Sequence, residues 1–227
     1  MRSVMDMTDI RWTGSTRAWK QIQESVRQHL RVEPIDPLPR FVAACDCAFS
    51  RDAKRIKASA VVYDRLEHQL IEQADILENC EVPYIPTFLS FREIPALLHV
   101  LEKLKHPYSA LLVDGQGLAH PRRCGIATHL GVLLDIPTVG CAKSRLIGTY
   151  QEPGHFKGSS SELKEASETI GLVLRTRESV KPVFISVGHR SDLSSSRALI
   201  LSCCTKYRLP EPLRWADRLS KFSAPIP

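Results

Sequence analysis

The sequence has no run of residues apolar for long enough to span a bilayer, and its opening stretch MRSVMDMTDIRW lacks the apolar core of a signal peptide. Neither a membrane-spanning helix nor secretion is expected on that reading. Repeated C-x-x-C spacing is also missing. The seven cysteines, Cys45, Cys47, Cys80, Cys124, Cys141, Cys203 and Cys204, are odd in number, and several sit in apolar runs. Neither a disulfide framework nor a structural zinc site is therefore indicated, and buried, reduced thiols are expected. Internal repeats and linker-like composition shifts are absent too. These absences predict a soluble, cytoplasmic protein with residues 1–227 forming one domain; a monomer is the expectation, although nothing in the residues fixes the oligomeric state.

What is present fits that class. Hydrophobic residues make up 43% and charged residues 25% of the chain, enough to build a core and to argue against disorder. The net charge of +6 agrees with a polyanionic partner but does not demand one.

Along the chain, residues 1–12 carry no periodicity and read as a loose terminus. Trp19, Ile22, Val26 and Leu30 recur at helical spacing behind a Ser15 cap, so a helix is predicted to about Arg31. PIDPLP ends it. Phe41 to Phe49 reads as a buried strand, and residues 56–63 and 69–77 complete an antiparallel meander. Ser90 to Lys105 is a predicted helix, followed by a short strand from Ala110 that closes on Asp114. A helix from about Arg122 to Asp135 and a strand over 138–142 come next, so this half alternates strand and helix as a parallel α/β unit does. The polar, glycine- and serine-rich stretch 151–168 reads as a long surface loop. Strands over 170–175 and 183–187, a helix from Asp192 to about Cys204 and a short helix carrying Asp217 finish the chain.

The stretch LLVDGQGLAHPRRCGIATHLG, residues 111–131, organises the chemistry. Asp114 stands where a strand meets a glycine-permissive turn, a place a ligand can approach closely. Asp46 sits mid-strand with Ala44 and Ala48 on its own face. A buried carboxylate without a partner is costly, so a metal-holding role is favoured for it. Asp114 serves equally well as an Asx turn. Glu93, three residues after Ser90, has the spacing of a capping box, and spacing alone favours the cap. If the strands bearing Asp46 and Asp114 are neighbours, the two acids can share a hard divalent ion, with Glu93 at the side.

Arg122 and Arg123, at the start of a predicted helix, oppose the helix dipole unless an anion is near, which tilts them toward phosphate. His120 is open between a phosphate or proton-shuttle role and a structural turn. Tyr84, held between Pro83 and Pro86, is either a stacking wedge or a loop anchor. On the residues alone, Lys143, Arg145 and Asp217 read as ordinary surface charges.

Taken together and in order, CDCAF, PYIP, FLSFRE, the 111–131 stretch, VGCAKSRLIG, VGHR and LPEPLRWAD resemble the endonuclease V family, over about Phe41 to Ser220. The resemblance implies an RNase H-like α/β fold, with a mixed central sheet flanked by helices and its first and fourth strands adjacent. It implies Mg²⁺ dependence, with Mn²⁺ able to substitute. Asp46 and Asp114 match the metal-binding aspartates and Glu93 the catalytic glutamate, which overrules the capping preference. Lys143 matches the lysine near the scissile phosphate, and Asp217 an additional active-site position. Tyr84 matches the tyrosine that wedges into the duplex, while Arg92, His120, Arg122 and Arg123 fall among DNA contacts. Leu89, Gly115, Gly125 and Ile126 fall on a largely main-chain pocket for the extruded base.

The implied reaction is a nick at the second phosphodiester bond 3′ to deoxyinosine, with the lesion left in place. The implied partner is DNA carrying deoxyinosine or other deaminated bases. The alternatives are an inosine-directed ribonuclease, single-stranded DNA as substrate, or a binding protein without catalysis. One departure stands out: the family commonly has glycine after PYIP, whereas this chain has Thr87, which puts lesion preference at issue more than the cleavage chemistry.

Overall fold

The computed structural model describes Trp12 and residues 14–222. Helix α1 (Thr16–Gln28) starts where expected, with the Ser15 hydroxyl accepting from the Ala18 amide, and it buries Trp19, Gln23 and Val26. Strands β1 (Phe41–Phe49), β2 (Arg55–Asp64) and β3 (Gln69–Asn79) form the antiparallel meander. Then come α2 (Leu89–Leu101), β4 (Leu111–Val113), α3 (Ile126–Leu134) and β5 (Thr138–Ala142). Strands β6 (Ser160–Glu165), β7 (Glu168–Leu174) and β8 (Val183–His189) precede α4 (Leu193–Ser202) and α5 (Glu211–Ser220).

Among the described residues, the eight strands belong to one sheet in the order β3-β2-β1-β4-β5-β8-β7-β6. Only β1 with β4 and β4 with β5 run parallel, and the other pairs are antiparallel. Strand β1 is therefore flanked by β2 and β4, and its side chains are split between two cores. Ala43 and Cys45 pack with Ile94, Leu97 and Leu130 from α2 and α3. Val42 and Ala44 pack with Leu199, Ile200 and Leu213 from α4 and α5. A strand covered on both faces loses the apolar-polar alternation, which is why FVAACDCAF reads as a continuous apolar run broken only by its acid.

Two expectations need correction. The predicted loop 151–168 contains β6, whose single deeply buried apolar side chain, Leu163, leaves no readable alternation in an edge strand. The second half is parallel only at β4 and β5, because β8 returns antiparallel to β5 with no helix between β7 and β8. Of the terminus expected to be loose, residues 1–11 lie outside the described residues. Trp12 itself is packed, its ring stacked 5.8 Å from that of His129. No helix among the described residues is long and apolar enough to cross a membrane.

Candidate active site and base pocket

Parallel pairing in register brings the two central acids together. Ala44 lies opposite Leu112 and Cys45 opposite Val113, so the next residues, Asp46 and Asp114, fall side by side. Helix α5 crosses the same face of β1. It is tied there by the Ser59 hydroxyl, which donates to the Ala216 carbonyl at 2.7 Å, and this sets Asp217 beside the pair. Asp46, Asp114 and Asp217 each offer an oxygen within 4.8 Å of the others. Lys143, just past β5, lies 2.6 Å from Asp114 Oδ2 and 2.7 Å from Asp217 Oδ1.

The electrostatics follow from that crowding. Burial first, and then the neighbouring Asp114 charge, push the Asp46 carboxyl up from 3.8 to about 7. Burial also raises Asp114, against the pull of the Lys143 ammonium. Burial acts upward on Asp217 as well, but Lys143 and Lys221 outweigh it and hold that carboxyl low. Glu93 is buried, and desolvation, Asp46 and Asp114 all drive its carboxyl well above the usual range. Hard oxygen donors that repel one another at short range, relieved by one ammonium group, are a donor set that a divalent cation fits. Among the described residues Glu93 is not in the three-acid group and stands beside it.

The capping reading of Glu93 does not hold. Helix α2 begins one residue earlier than Ser90, with Phe88 as its cap residue and no side-chain cap bond. Ser90 turns its hydroxyl to His129 Nδ1 at 3.1 Å instead, leaving Glu93 free of that duty.

Beside the acids lies a cavity of about 330 Å³. Its lining includes all four expected pocket residues, Leu89, Gly115, Gly125 and Ile126, together with Tyr84, Thr87, His120, Asp114 and Lys143. The pocket and the acidic cluster therefore share Asp114 and Lys143. Gly125 is required by space: a Cβ there would lie 2.2 Å from the Gln116 carbonyl oxygen. Helices α2 and α3 both begin at this cavity without a side-chain cap, so their positive ends are turned toward whatever occupies it. Tyr84 is 64% exposed at the rim.

The expected DNA contacts are distributed differently. Arg92 is buried, its guanidinium stacked 3.9 Å from the centre of the Phe49 ring and donating to the Ala53 carbonyl at 3.0 Å. Arg122 and Arg123 precede α3, which starts only at Ile126. Arg122 Nη2 donates to the Thr87 carbonyl and hydroxyl, both at 2.7 Å. Arg123 is ion-paired with Glu165 at 2.6 Å and Glu168 at 2.7 Å. The Arg123 charge is thus paired within the protein, whereas Arg122 gives its Nε and Nη2 donors to the neutral groups of Gln23 and Thr87.

His120 resolves toward the structural turn: Nε2 lies 3.0 Å from the Thr87 carbonyl, and Nδ1 receives the Arg122 amide at 3.2 Å. Desolvation lowers its pKa to about 4, so the ring is neutral, with Nε2 as donor. Two residues that sequence reading missed also serve the site. Arg208 donates to the Lys143 carbonyl at 2.6 Å and the Pro182 carbonyl at 2.8 Å, bracing the turn that carries Lys143. Gln23 lies at the back of the pocket, and its signal was a polar residue on the apolar stripe of α1.

Comparison with known proteins agrees with this geometry. A family profile described as Endonuclease V matches residues 20–218. Endonuclease V of Rippkaea orientalis is 45% identical over 201 residues, covering 88% of each chain. The crystal structure of endonuclease V from Streptomyces avermitilis superposes with a TM-score of 0.88 at 38% identity, covering 92% of each chain. Endonuclease V of Ciona intestinalis, solved with a 23mer DNA containing an inosine followed by a ribo-adenosine, superposes with a TM-score of 0.80 at 28% identity, over 90% of this chain and 94% of that one. The mixed sheet with β1 beside β4 is accordingly RNase H-like, and the chain belongs to the endonuclease V family of nucleases.

Proposed function

We propose that this protein is a Mg²⁺-dependent endonuclease that nicks DNA at the second phosphodiester bond 3′ to deoxyinosine and leaves the lesion in place. The observation that carries this reading is the sharing of Asp114 and Lys143 between the acidic cluster and the 330 Å³ pocket. A base held in the pocket would have its own strand within reach of the carboxylates. Support from relatives comes from the Ciona protein and its inosine-containing DNA.

Asp46 and Asp114 would hold the metal, with Asp217 completing the oxygen set. A bound Mg²⁺ supplies the charge that activates a water and stabilises the leaving oxygen. Lys143 adds a cation for the phosphodiester at the mouth shared by pocket and cluster. Glu93, whose carboxyl is driven strongly toward its protonated form in the metal-free protein, supplies a proton-holding group next to Asp46 and Asp114. Tyr84 on its proline-stiffened loop fills the gap left in the stack, and extrusion is cheapest at a base that pairs poorly. The first-turn amides of α2 and α3 favour an acceptor such as the 6-keto oxygen of hypoxanthine, where adenine would present an amino donor.

The test is incubation of the pure protein with inosine-containing duplex and Mg²⁺, then with Mn²⁺. One nick 3′ to the lesion is expected, and no nicking with either metal overturns the reading. A ribonuclease reading is favoured by one observation, the ribo-adenosine after inosine in the Ciona complex. Matched DNA and RNA oligonucleotides decide between them, a preference for RNA assigning the protein to inosine-containing transcripts.

A further inference from the structure

Thr87 is a β-branched residue with φ at +70°, in the left-handed region where only glycine sits without strain. It joins the loop bearing Tyr84 to the first turn of α2, which begins at Leu89, with Glu93 on the following turn. Something must hold it there. The Thr87 carbonyl receives three donors: Arg122 Nη2 at 2.7 Å, His120 Nε2 at 3.0 Å and Gln23 Nε2 at 3.2 Å.

Gln23 is the hub of this arrangement. It comes from α1, a helix otherwise remote from the chemistry, and only 1% of its surface is exposed. Its Nε2 donates to both the Thr87 and Cys124 carbonyls, the latter at 3.1 Å, while its Oε1 accepts from Arg122 Nε at 2.5 Å. Reversing the amide would set an oxygen against two carbonyls, so one orientation alone satisfies the site. Cys124 immediately precedes the Gly125–Ile126 wall of the pocket. One buried amide therefore ties the wall at the start of α3 to the loop entering α2.

We propose that Gln23 is a positioning residue: its amide holds Thr87 in the left-handed conformation and so fixes the Tyr84 loop against the base pocket. All of its side-chain polar atoms are engaged within the protein, so it acts through Thr87 and Arg122 and leaves no hydrogen bond for the base. The role rests on the nicking activity proposed above. Opening a duplex requires the Tyr84 loop to push against stacked bases, and a loop free to swing yields to them. A single strand offers no such resistance. The requirement for Gln23 is accordingly greater on duplex than on single-stranded inosine substrate, and it weakens when residue 87 carries no left-handed strain.

The experiment compares Q23E, T87G and the double variant with the unaltered protein. Q23E keeps the size of the side chain but loses both donors. Single-turnover nicking is measured on duplex and single-stranded inosine DNA, alongside hydrogen exchange of residues 82–90. Q23E should lower the duplex-to-single-strand rate ratio by roughly tenfold, the order expected when buried hydrogen bonds restraining a strained backbone are lost. Exchange of residues 82–90 should rise in Q23E. In the T87G background, Q23E should change both readouts several-fold less.

Equal losses on the two substrates, or the same Q23E effect in both backgrounds, would mean that Gln23 is only a packing residue and would overturn the proposal. Unchanged exchange over 82–90 would do the same. If the unaltered protein nicks neither substrate, the functional reading falls by itself, and the exchange measurement still decides whether Gln23 restrains the loop. Should Q23E fail to fold, Q23A is measured in the same way.

Discussion

The metal-free active site should be destabilised by its own carboxylates, and D46N measures by how much. Asp46 lies beside Asp114 on in-register parallel strands, with Asp217 completing the group. Burial and the Asp114 charge raise its carboxyl from 3.8 to about 7. The folded protein therefore retains a proton that the unfolded chain has released. The stability this contributes is complete below about pH 4 and is lost as pH rises to about 7. At 1.36 kcal/mol per pH unit the loss is roughly 4 kcal/mol, and sharing of the proton with Asp114 leaves about 2 to 4 kcal/mol.

Asn preserves the shape and the acceptor for the Cys47 amide, which lies 2.8 Å from Asp46 Oδ1, but it cannot ionise. Urea unfolding with a chelator present, from pH 5 to pH 8, gives the stability gap between D46N and the unaltered protein. The gap should move in favour of D46N as pH rises and level off above about pH 7. Added Mg²⁺ at pH 8 should stabilise the unaltered protein and leave D46N unmoved, while D46N loses nicking. A gap that stays flat across this range, or that moves against D46N, would refute the claim that these carboxylates repel one another without a cation.

Two further outcomes test the pocket and the core. G125A would force a Cβ to within 2.2 Å of the Gln116 carbonyl oxygen, so the pocket wall must shift; single-turnover nicking at inosine should fall on the order of 10²-fold, and a variant that nicks at the normal rate would sink the pocket assignment. His129 and His120 are held neutral by burial, with pKa values lowered to about 3 and about 4, so the unfolded chain binds protons that the folded one does not, and stability should fall as pH drops from about 6.5 toward 4. H129L should flatten that acid limb in urea titrations, whatever its effect at neutral pH, and an unchanged slope would count against the buried neutral ring.

The local signals were legible in one dimension. Helical spacing behind Ser15, the apolar run of β1 around a lone acid, and the short strand ending at Asp114 all depend on neighbours a few residues apart. The order of motifs carried the family, and with it the four pocket residues that line the cavity. Edge strand β6 escaped because one buried leucine makes no pattern. The capping role of Glu93 failed, and Arg122 was found turned to partners inside the protein, for a common reason. Spacing states what a side chain can reach along its own segment, and it is silent about partners from elsewhere. Ser90 found His129 on another helix, and Arg122 found Thr87 and Gln23.

The sequence by itself determined the elements other than edge strand β6, because propensity, periodicity and turn chemistry are short-range, and it supplied the acids. Only the tertiary structure decided that Asp46, Asp114 and Asp217 meet, that Arg123 is ion-paired with Glu165 and Glu168, and that Arg122 bonds to Thr87 and Gln23. Pairing register and the approach of α5 set those distances: the first joins residues 68 positions apart along the chain, Ala44 with Leu112, and the second joins Ser59 with Ala216, 157 positions apart.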